Sequence, residues 1–223
     1  MDVERDFLGS VPYFSGLGAA ELGAVRRLAF ERAAQRDELI LAEGEQPEAL
    51  YFVVSGAVKE LKTSAEGKEQ ILRIVRPGES FNDVPVFDGG PTIASAVAMG
   101  PVSLLGVSRS DVESIVGQYP RVALNVIQLL GERVRYFVSL VEDLSFRHVI
   151  GRVAKLLMEY AGDGDGPRPR LTQQEMAAMA GTAREMVGRS LKALEDDGVI
   201  RIDRHRIVIS DREALREMAG VAP

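Results

Sequence analysis

The residues best suited to chemistry lie on one predicted helix near the C-terminus, around residues 184–194. On a wheel of about 100° per residue, Arg184, Glu185 and Arg189 share one arc with Lys192. An arginine fork can donate two parallel hydrogen bonds to O6 and N7 of guanine, and a glutamate can accept one from N4 of cytosine. Lysine suits a phosphate. The spacing therefore predicts a helix that reads base edges in a DNA major groove.

A supporting helix is expected just before it. Thr172 and Glu175 have the spacing of a capping box, and Gly181 can take the positive φ of a sharp turn between helices. Thr182 and Glu185 repeat the capping spacing, so we expect the recognition helix to begin there. The arc opposite its cations is apolar and can pack on the first helix: Val187, Leu191 and Leu194. This order predicts a helix-turn-helix.

A simpler interpretation of the charged face is a solvated helix with internal ion pairs. This interpretation applies equally well to any single arginine, whereas the whole set of side chains favours a helix that binds DNA. Glu185 has two competing roles, because a capping-box glutamate is turned back toward its own N-cap and is then not free to reach a base.

The residues after this helix predict a winged domain. Residues 199–202 and 207–209 are rich in β-formers, and a basic turn, residues 203–206, joins them. A wing of that kind usually meets phosphates. Ser210 with Glu213 is expected to cap a short final helix.

A family resemblance rests on three pieces of this region: TxxE, AG and AREMVGRSLKALEDDGVI. They resemble the C-terminal domain of the cyclic-AMP receptor and fumarate–nitrate regulator family of bacterial transcription factors, and the resemblance covers nearly the whole chain. The cyclic-AMP receptor branch carries Arg-Glu-x-x-x-Arg here, which implies a GTGA-like half-site. The resemblance implies contacts to double-stranded DNA from these residues: Thr172, Gln174, Thr182, Ala183, Arg184, Glu185, Gly188, Arg189 and Lys192.

Composition bounds the rest of the chain. With 223 residues and 46% hydrophobic content it can form two modest cores, and no run of about 18 apolar residues could span a membrane. The start, MDVERDFLGS, lacks the basic and apolar regions of a signal peptide, so we expect a cytoplasmic protein. Without cysteine, disulfides and thiolate iron–sulfur ligation are excluded.

The net charge of −6 at first argues against a nucleic-acid partner. The charge is uneven, however. Residues 1–146 carry 14 basic and 21 acidic side chains, a balance of −7, whereas residues 147–223 carry 13 and 12, a balance of +1. A near-neutral domain with its cations on one face can still bind DNA, with a strong dependence on salt.

The first half of the chain has the pattern of short strands between glycine turns. Gly44, Gly56, Gly67 and Gly78 recur at intervals of 11 or 12 residues, where tight turns need them. This spacing predicts a small antiparallel barrel or jelly roll, and it resembles the family's β-roll sensor domain. The expected strands are residues 38–42, 50–54, 58–63 and 71–75.

In cyclic-nucleotide binders of the family, the next segment carries a glutamate for the ribose and an Arg-Ser pair for the phosphate. Aligned through Phe87, this chain has Asp83 at the glutamate, but Ile93 replaces the arginine and cannot neutralise a phosphate. Apolar residues also replace the hydroxyls that touch adenine across the family's dimer. The resemblance therefore implies an effector other than cyclic AMP, and it places the candidate effector residues at Phe81, Asp83, Ile93, Ala94, Phe137 and Val138.

The apolar residues of this segment have two interpretations. They could line a pocket for a hydrophobic effector, or they could fill the core of the roll, which is the simpler view: Phe81, Val84, Pro85, Val86, Phe87 and Ile93. Haem is the cofactor that the gas-sensing branch of the family suggests, although His148 and His205 are the only histidines. A DNA binder that needs no effector is the other alternative. His148 lies at the family's hinge, and a structural role is its simplest interpretation.

A long amphipathic helix is predicted between the two halves, from about Arg121 to Leu144. Its apolar residues alternate spacings of three and four, which is the pattern of a coiled-coil seam: Ile127, Leu130, Val134, Phe137, Val141 and Leu144. The chain offers no partner helix of similar length, so the seam predicts a homodimer. Two recognition helices would then read half-sites about one DNA turn apart.

These features predict an α+β chain with a β-roll sensor domain over residues 1–109, a linker and dimerisation helix over 110–146, and a winged helix-turn-helix over 147–223. An enzyme is not expected, because no catalytic pairing, phosphate-cradling loop or metal-ligand spacing stands out. A sensor module that does not bind DNA is the weakest alternative, since it would not need the paired arginines.

Residues 161–170, AGDGDGPRPR, follow the predicted hinge region. They lie where activators of the family touch RNA polymerase, which makes polymerase a further expected partner. They could equally well be a flexible connector. The resemblance also implies that an effector shifts the dimer between two arrangements, which requires different affinities for the two.

Overall fold

The structure is a computed structural model that describes residues 3–161, 171–203 and 206–220. The chain divides into two compact units. One comprises Met1–Lys62 and Leu72–Arg135, and the other comprises Thr63–Ile71 and Tyr136–Pro223. Among the described residues, no helix has both the length and the apolar character that a membrane span requires.

The first unit begins with helices α1 (Val3–Ser10) and α2 (Ala19–Leu28), separated by a short 3₁₀ helix, Pro12–Phe14. Helix α3 (Asp83–Asp88) lies within the strand region, and α4 (Arg109–Gln118) follows it. The strands are β1 (Ala29–Ala34), β2 (Leu39–Leu41), β3 (Ala49–Ser55), β4 (Val58–Thr63), β5 (Glu69–Val75), β6 (Ser80–Phe81), β7 (Ser95–Ala98) and β8 (Val102–Ser108).

These strands form two four-stranded sheets, ordered β1-β8-β3-β6 and β2-β7-β4-β5. Strand β8 pairs antiparallel with both β1 and β3, and β7 pairs antiparallel with β2 and β4. The strands bury a shared apolar core that includes Val53, Val58, Val75, Phe81 and Leu104. Short antiparallel strands joined by turns are what the sequence pattern predicted for a roll.

Gly56 shows why the turns between strands need glycine. Its φ is +82°, and a Cβ at this position would lie 2.4 Å from the carbonyl oxygen of Pro101. Both the backbone conformation and the close approach therefore exclude a side chain. Gly44, Gly67 and Gly78 also have positive φ, so the predicted glycine turns are confirmed.

The second unit contains the end of the long helix α5 (Pro120–Phe146) and a small domain built on it. Its core is formed by Val153, Leu157, Met176, Leu194 and Leu215 with their neighbours. The elements after α5 are α6 (Val149–Tyr160), α7 (Gln173–Ala180), α8 (Arg184–Asp196), β9 (Ile200–Asp203), β10 (Arg206–Ile209) and α9 (Arg212–Ala219). The predicted α+β class is confirmed.

Two predicted helix starts are wrong by one residue. Helix α8 begins after Ala183, not after Thr182, because the backbone N–H of Thr182 donates to the carbonyl of Ala177 and closes the turn that ends α7. Helix α9 is capped by Asp211 in place of Ser210. The Asp211 carboxylate accepts hydrogen bonds of 3.0 Å from two backbone N–H groups of the first turn.

Candidate DNA-binding surface and effector site

The helix-turn-helix is held by the interactions that its sequence predicted. The side-chain oxygen of Thr172 accepts from the backbone N–H of Glu175 at 3.1 Å, and the Glu175 carboxylate accepts from the backbone N–H of Thr172 at 2.7 Å. Gly181 ends α7 with a φ of +62°. The capping box and the glycine turn are confirmed, and they orient α8 across α7.

Helix α8 separates its side chains as the wheel predicted. Val187, Leu191 and Leu194 are buried in the core of this domain. The cationic arc is exposed: Arg184, Glu185, Arg189 and Lys192. Of the other residues predicted to contact DNA, Thr172, Gln174 and Ala183 are exposed, and Thr182 and Gly188 are half-buried.

Glu185 is not held in a capping box. Helix α8 starts at Arg184, and its N-cap, Ala183, has no side chain that can accept a hydrogen bond. Glu185 is exposed within the first turn. The predicted Thr182–Glu185 capping box is therefore wrong. Because the Glu185 carboxylate is not bent back toward its own N-cap, capping does not compete with contact to a base.

The wing is an antiparallel pair in which Arg201 lies opposite Val208 and Asp203 lies opposite Arg206. Cross-strand partners share a face of the pair, so Arg201 and Arg206 lie on one side, and both are exposed. The centre of the predicted basic turn, residues 204–205, lies outside the described residues, and His205 with it.

The apolar residues predicted for the segment 81–93 are mostly buried or half-buried, and Phe87 lines a small apolar cavity. Phe81 is fully buried and stacks on Tyr51 with 5.4 Å between ring centroids, and Val86 is fully buried as well. Ile93 points outward and is 50% exposed, whereas Ala94 is buried. Phe81 and Val86 fill the core, as the simpler interpretation predicted. On α5, Phe137 is half-buried and Val138 is exposed.

Asp83 lies at the centre of a buried hydrogen-bond network. Its carboxylate accepts from the Tyr13 hydroxyl, from the Ser80 hydroxyl at 2.7 Å and from the Arg133 guanidinium. Arg133, on helix α5, also donates to the Ser80 carbonyl at 2.7 Å. Sequence reasoning singled out Asp83 but missed its partners, because Tyr13 and Arg133 are 70 and 50 residues away and share no motif with it.

This network changes the acidity of its members. Burial alone would raise the pKa of Asp83, but the charge of Arg133 and the hydrogen bonds from Arg133, Tyr13 and Ser80 outweigh it and lower the pKa below its ordinary value. Burial, and then the neighbouring Asp83 charge, raise the pKa of Tyr13 well above its usual range. The structure therefore holds an ionised carboxylate against a neutral phenol and a guanidinium.

An apolar cavity lies near this network in the first unit, with a volume of about 10 Å³. That is the space of about one water molecule, far less than a haem requires. It is lined by Tyr13, Phe14, Leu50, Phe87, Val107, Val112, Ile115, Val116 and Val122. His148 is the exposed N-cap of α6, and no group of three metal-binding side chains occurs among the described residues.

Comparison with known proteins agrees with these features. Residues 31–119 match the cyclic nucleotide-binding domain model, and residues 151–218 match the Crp-like helix-turn-helix model. The Cyclic AMP receptor protein of Thermus thermophilus is 34% identical over 208 residues, which cover 93% of this chain and 96% of that protein. This chain belongs to the CRP/FNR family. Like its relatives, it is a DNA-binding transcriptional regulator, and the predicted family is confirmed.

Other members resemble the chain over nearly their full length. The CRP-like cAMP-activated global transcriptional regulator of Mycobacterium tuberculosis is 30% identical, over 96% of this chain and 99% of that protein. The structure of FixK2 from Bradyrhizobium japonicum superimposes with a TM-score of 0.77 at 27% identity, over 87% of this chain and 99% of FixK2.

Proposed function

We propose that this CRP/FNR-family regulator is a homodimer that reads a palindromic GTGA-like site through α8, under the control of an effector other than cyclic AMP. The observation that carries the proposal is the two-sided α8: Arg184, Glu185 and Arg189 are exposed on one arc while the opposite arc is buried. Base edges in a major groove offer these groups their matching acceptors and donors.

Exposed apolar side chains on α5 support the dimer. Ile127, Val134 and Val141 are 65%, 62% and 63% exposed, and their spacing of seven puts them on one face of the helix. Such a row of branched apolar residues is costly to leave in water, and a second copy of the same helix would cover it. Leu130 already packs partly on a second apolar core of the first unit, which includes Leu8, Val25 and Phe52. Part of the predicted seam therefore packs within the monomer, and the exposed part is left for the dimer.

A twofold dimer would present two copies of α8 to one DNA duplex. Half-sites about one helical turn, or roughly 34 Å, apart lie on the same side of the duplex, so both helices can enter successive major grooves. Lys192 and the wing arginines Arg201 and Arg206 are exposed and suit phosphates. Such contacts would fix the position of the protein on the duplex without distinguishing one base sequence from another.

The hydrogen bonds that the Asp83 carboxylate already accepts support an effector other than cyclic AMP. Its carboxylate already accepts from three donors, so it has little capacity left for ribose hydroxyls. Ile93 stands where cyclic-nucleotide binders have the arginine, and its exposed side chain offers a phosphate no charge. Relatives in Thermus thermophilus and Mycobacterium tuberculosis carry cyclic AMP in their names, and this chain departs from that chemistry at these positions.

Two alternatives to a small-molecule effector differ in their support. The Asp83 network supports a regulator that binds DNA without an effector. The Asp83 carboxylate is already paired with the Arg133 guanidinium, so no added ligand is needed to compensate either charge. A haem-based gas sensor has less support, because the apolar cavity holds about one water and His148 is exposed at a helix end. A purified protein without absorbance at about 400–430 nm would argue against haem.

We infer that the DNA-bound dimer also contacts RNA polymerase, and that it does so in the cytoplasm. Residues 161–170, where the resemblance places that contact, lie outside the described residues except for Ala161. The inference therefore rests on family membership, and a pull-down of polymerase on a DNA-bound dimer, with residues 163–168 deleted as the comparison, would test it.

Substitutions on α8 test the reading of DNA. We expect Arg184→Ala and Arg189→Ala to lose about 1–3 kcal/mol of discrimination between GTGA-like and base-substituted half-sites, because each removes a bidentate donor to guanine. Lys192→Ala is the matched control: it removes a cation from the same exposed arc and should weaken all sequences alike. Fluorescence anisotropy at one fixed salt concentration measures both effects. Guanine preference that survives Arg189→Ala would show that this contact is misassigned.

Cyclic AMP provides the test of the effector. We expect millimolar cyclic AMP to change the dissociation constant for palindromic DNA by less than about twofold, since the phosphate would have no charge partner at Ile93. The Ile93→Arg, Ala94→Ser double variant restores the pair and serves as the comparison. Tightening of about tenfold or more in the unmodified protein would contradict the proposal.

A further inference from the structure

Helices α5 and α6 meet at a corner formed by Arg147 and His148, and a buried carboxylate lies inside it. Asp143, three residues before the end of α5, is 7% exposed. One of its oxygens accepts from Nε of Arg147 at 2.5 Å, and the other accepts from Nζ of Lys155 on α6. Lys155 also donates to the hydroxyl of Ser139, one turn earlier on α5, at 3.3 Å.

The positions of these groups make the contact a brace. At 1.5 Å per residue, Lys155 lies about 9 Å along α6 from its first residue, and Asp143 lies about 5 Å from the end of α5. A bond that joins two points away from a corner fixes its angle, because opening or closing the corner would pull Lys155 from Asp143. Breaking it would leave a buried charge with one partner fewer.

The same corner is tied to the C-terminal ends of two helices of the DNA-binding domain, α9 and α7. The Arg147 guanidinium donates to the carbonyls of Ala219 and Gly220 at the C-terminus of α9. Arg152 donates to the Arg147 carbonyl and, at 2.7 Å, to that of Ala180, the last residue of α7. Cations at helix C-termini interact favourably with the helix dipole. The helix-turn-helix therefore moves with the corner as one body.

We propose that Asp143 is a positioning residue whose brace to Lys155 and Arg147 sets the half-site spacing that the dimer accepts. The inference rests on the proposed dimeric reading of DNA. Each added base pair moves a half-site by about 3.4 Å along the duplex and by about 35° around it. A rigid corner cannot follow that change, whereas a corner without its brace can bend toward the displaced groove.

The experiment compares spacing preference with half-site affinity. Asp143→Asn keeps the size of the side chain and removes its charge. Glu142→Gln removes one charge from the neighbouring, exposed residue and is the matched control. Anisotropy titrations use one pair of half-sites at the best spacing and at one or two base pairs more or less, together with a single half-site.

We expect the unmodified protein and Glu142→Gln to bind about tenfold more weakly when the spacing changes by two base pairs. For Asp143→Asn the loss should be under about threefold, with single half-site affinity within about twofold of the unmodified protein. An unchanged spacing profile in Asp143→Asn would refute the brace. If the unmodified protein does not prefer the palindrome to a single half-site, it is the proposed dimeric reading that fails.

Lys155→Gln is the second variant, in case Asp143→Asn does not fold. Lys155 is partly exposed, and its removal leaves Asp143 paired with Arg147, so the core keeps a compensated charge. Its spacing profile should broaden in the same direction as that of Asp143→Asn. A thermal unfolding curve for each variant establishes that it is folded, and a folded Lys155→Gln with the original spacing preference would also refute the brace.

Discussion

Val141→Asp will convert the protein to a monomer and weaken its binding to palindromic DNA by about a hundredfold or more. Val141 is 63% exposed on the apolar row of α5 that we assign to the dimer. In a twofold seam the two aspartates would face each other across a surface without water, so two like charges would be desolvated together. A monomer also loses the avidity of two linked half-site contacts, which is worth about 10²–10⁴ in affinity.

Analytical ultracentrifugation measures the mass, and anisotropy measures the binding. Gln128→Asp is the control, since it adds the same charge to an exposed position of α5 outside the apolar row. It should remain dimeric. Val134→Asp, one heptad earlier, should repeat the effect of Val141→Asp. If both valine variants keep the mass of the unmodified protein, α5 is not the dimer seam.

Arg133→Met will destabilise the protein by about 3–5 kcal/mol at neutral pH, because it leaves Asp83 ionised and buried without its cation. Methionine keeps most of the apolar stem, so the loss is electrostatic and not one of packing. Urea unfolding measures it. Adding Asp83→Asn to Arg133→Met should recover part of the loss, since the buried charge is then gone as well.

The pH dependence of this pair has a definite sign. The pKa of Asp83 is lowered in the folded protein, so its ionisation stabilises the fold above the ordinary aspartate pKa of about 4, and this contribution is lost as the pH falls through the lower, folded value. In Arg133→Met, the guanidinium no longer offsets the effect of burial on the pKa of Asp83. Protonation of Asp83 then removes the unpaired buried charge and with it the destabilisation of the variant. The stability difference between the two proteins should therefore shrink from pH 7 toward pH 4.

Arg135→Met is the matched control, because Arg135 is exposed on the same helix. Its unfolding free energy should lie within about 0.5 kcal/mol of that of the unmodified protein. An Arg133→Met protein as stable as this control would mean that the guanidinium does not compensate Asp83. A difference that grows toward acid pH would contradict the assignment of charges.

The two-sided α8 could be predicted from sequence because its information is local. A helix repeats every 3.6 residues, so the arcs of Arg184 and Leu191 follow from spacing once a helix is assumed. The capping pair Thr172 and Glu175 is three residues apart and acts within one turn. The start of α8 was harder to predict, because the backbone N–H of Thr182 is used in the turn that ends the preceding helix.

Other features depend on residues that are distant in sequence. The sequence around Asp83 does not predict that Tyr13 and Arg133 pair with it, because the three residues meet only after α3, the N-terminal 3₁₀ helix and α5 have packed together. Asp143 pairs with Arg147 within one helical turn, but its pairing with Lys155, 12 residues away, needs α6 to lie beside the end of α5.

Periodicity and short-range spacing in the amino-acid sequence thus specified the elements, the exposed face of the recognition helix and the family. Packing specified which charges are buried and which side chains are already paired. The reason is physical: a hydrogen bond within one turn needs only the local backbone, whereas the environment of Asp83 or Asp143 is the sum of several elements brought together by burial of their apolar faces.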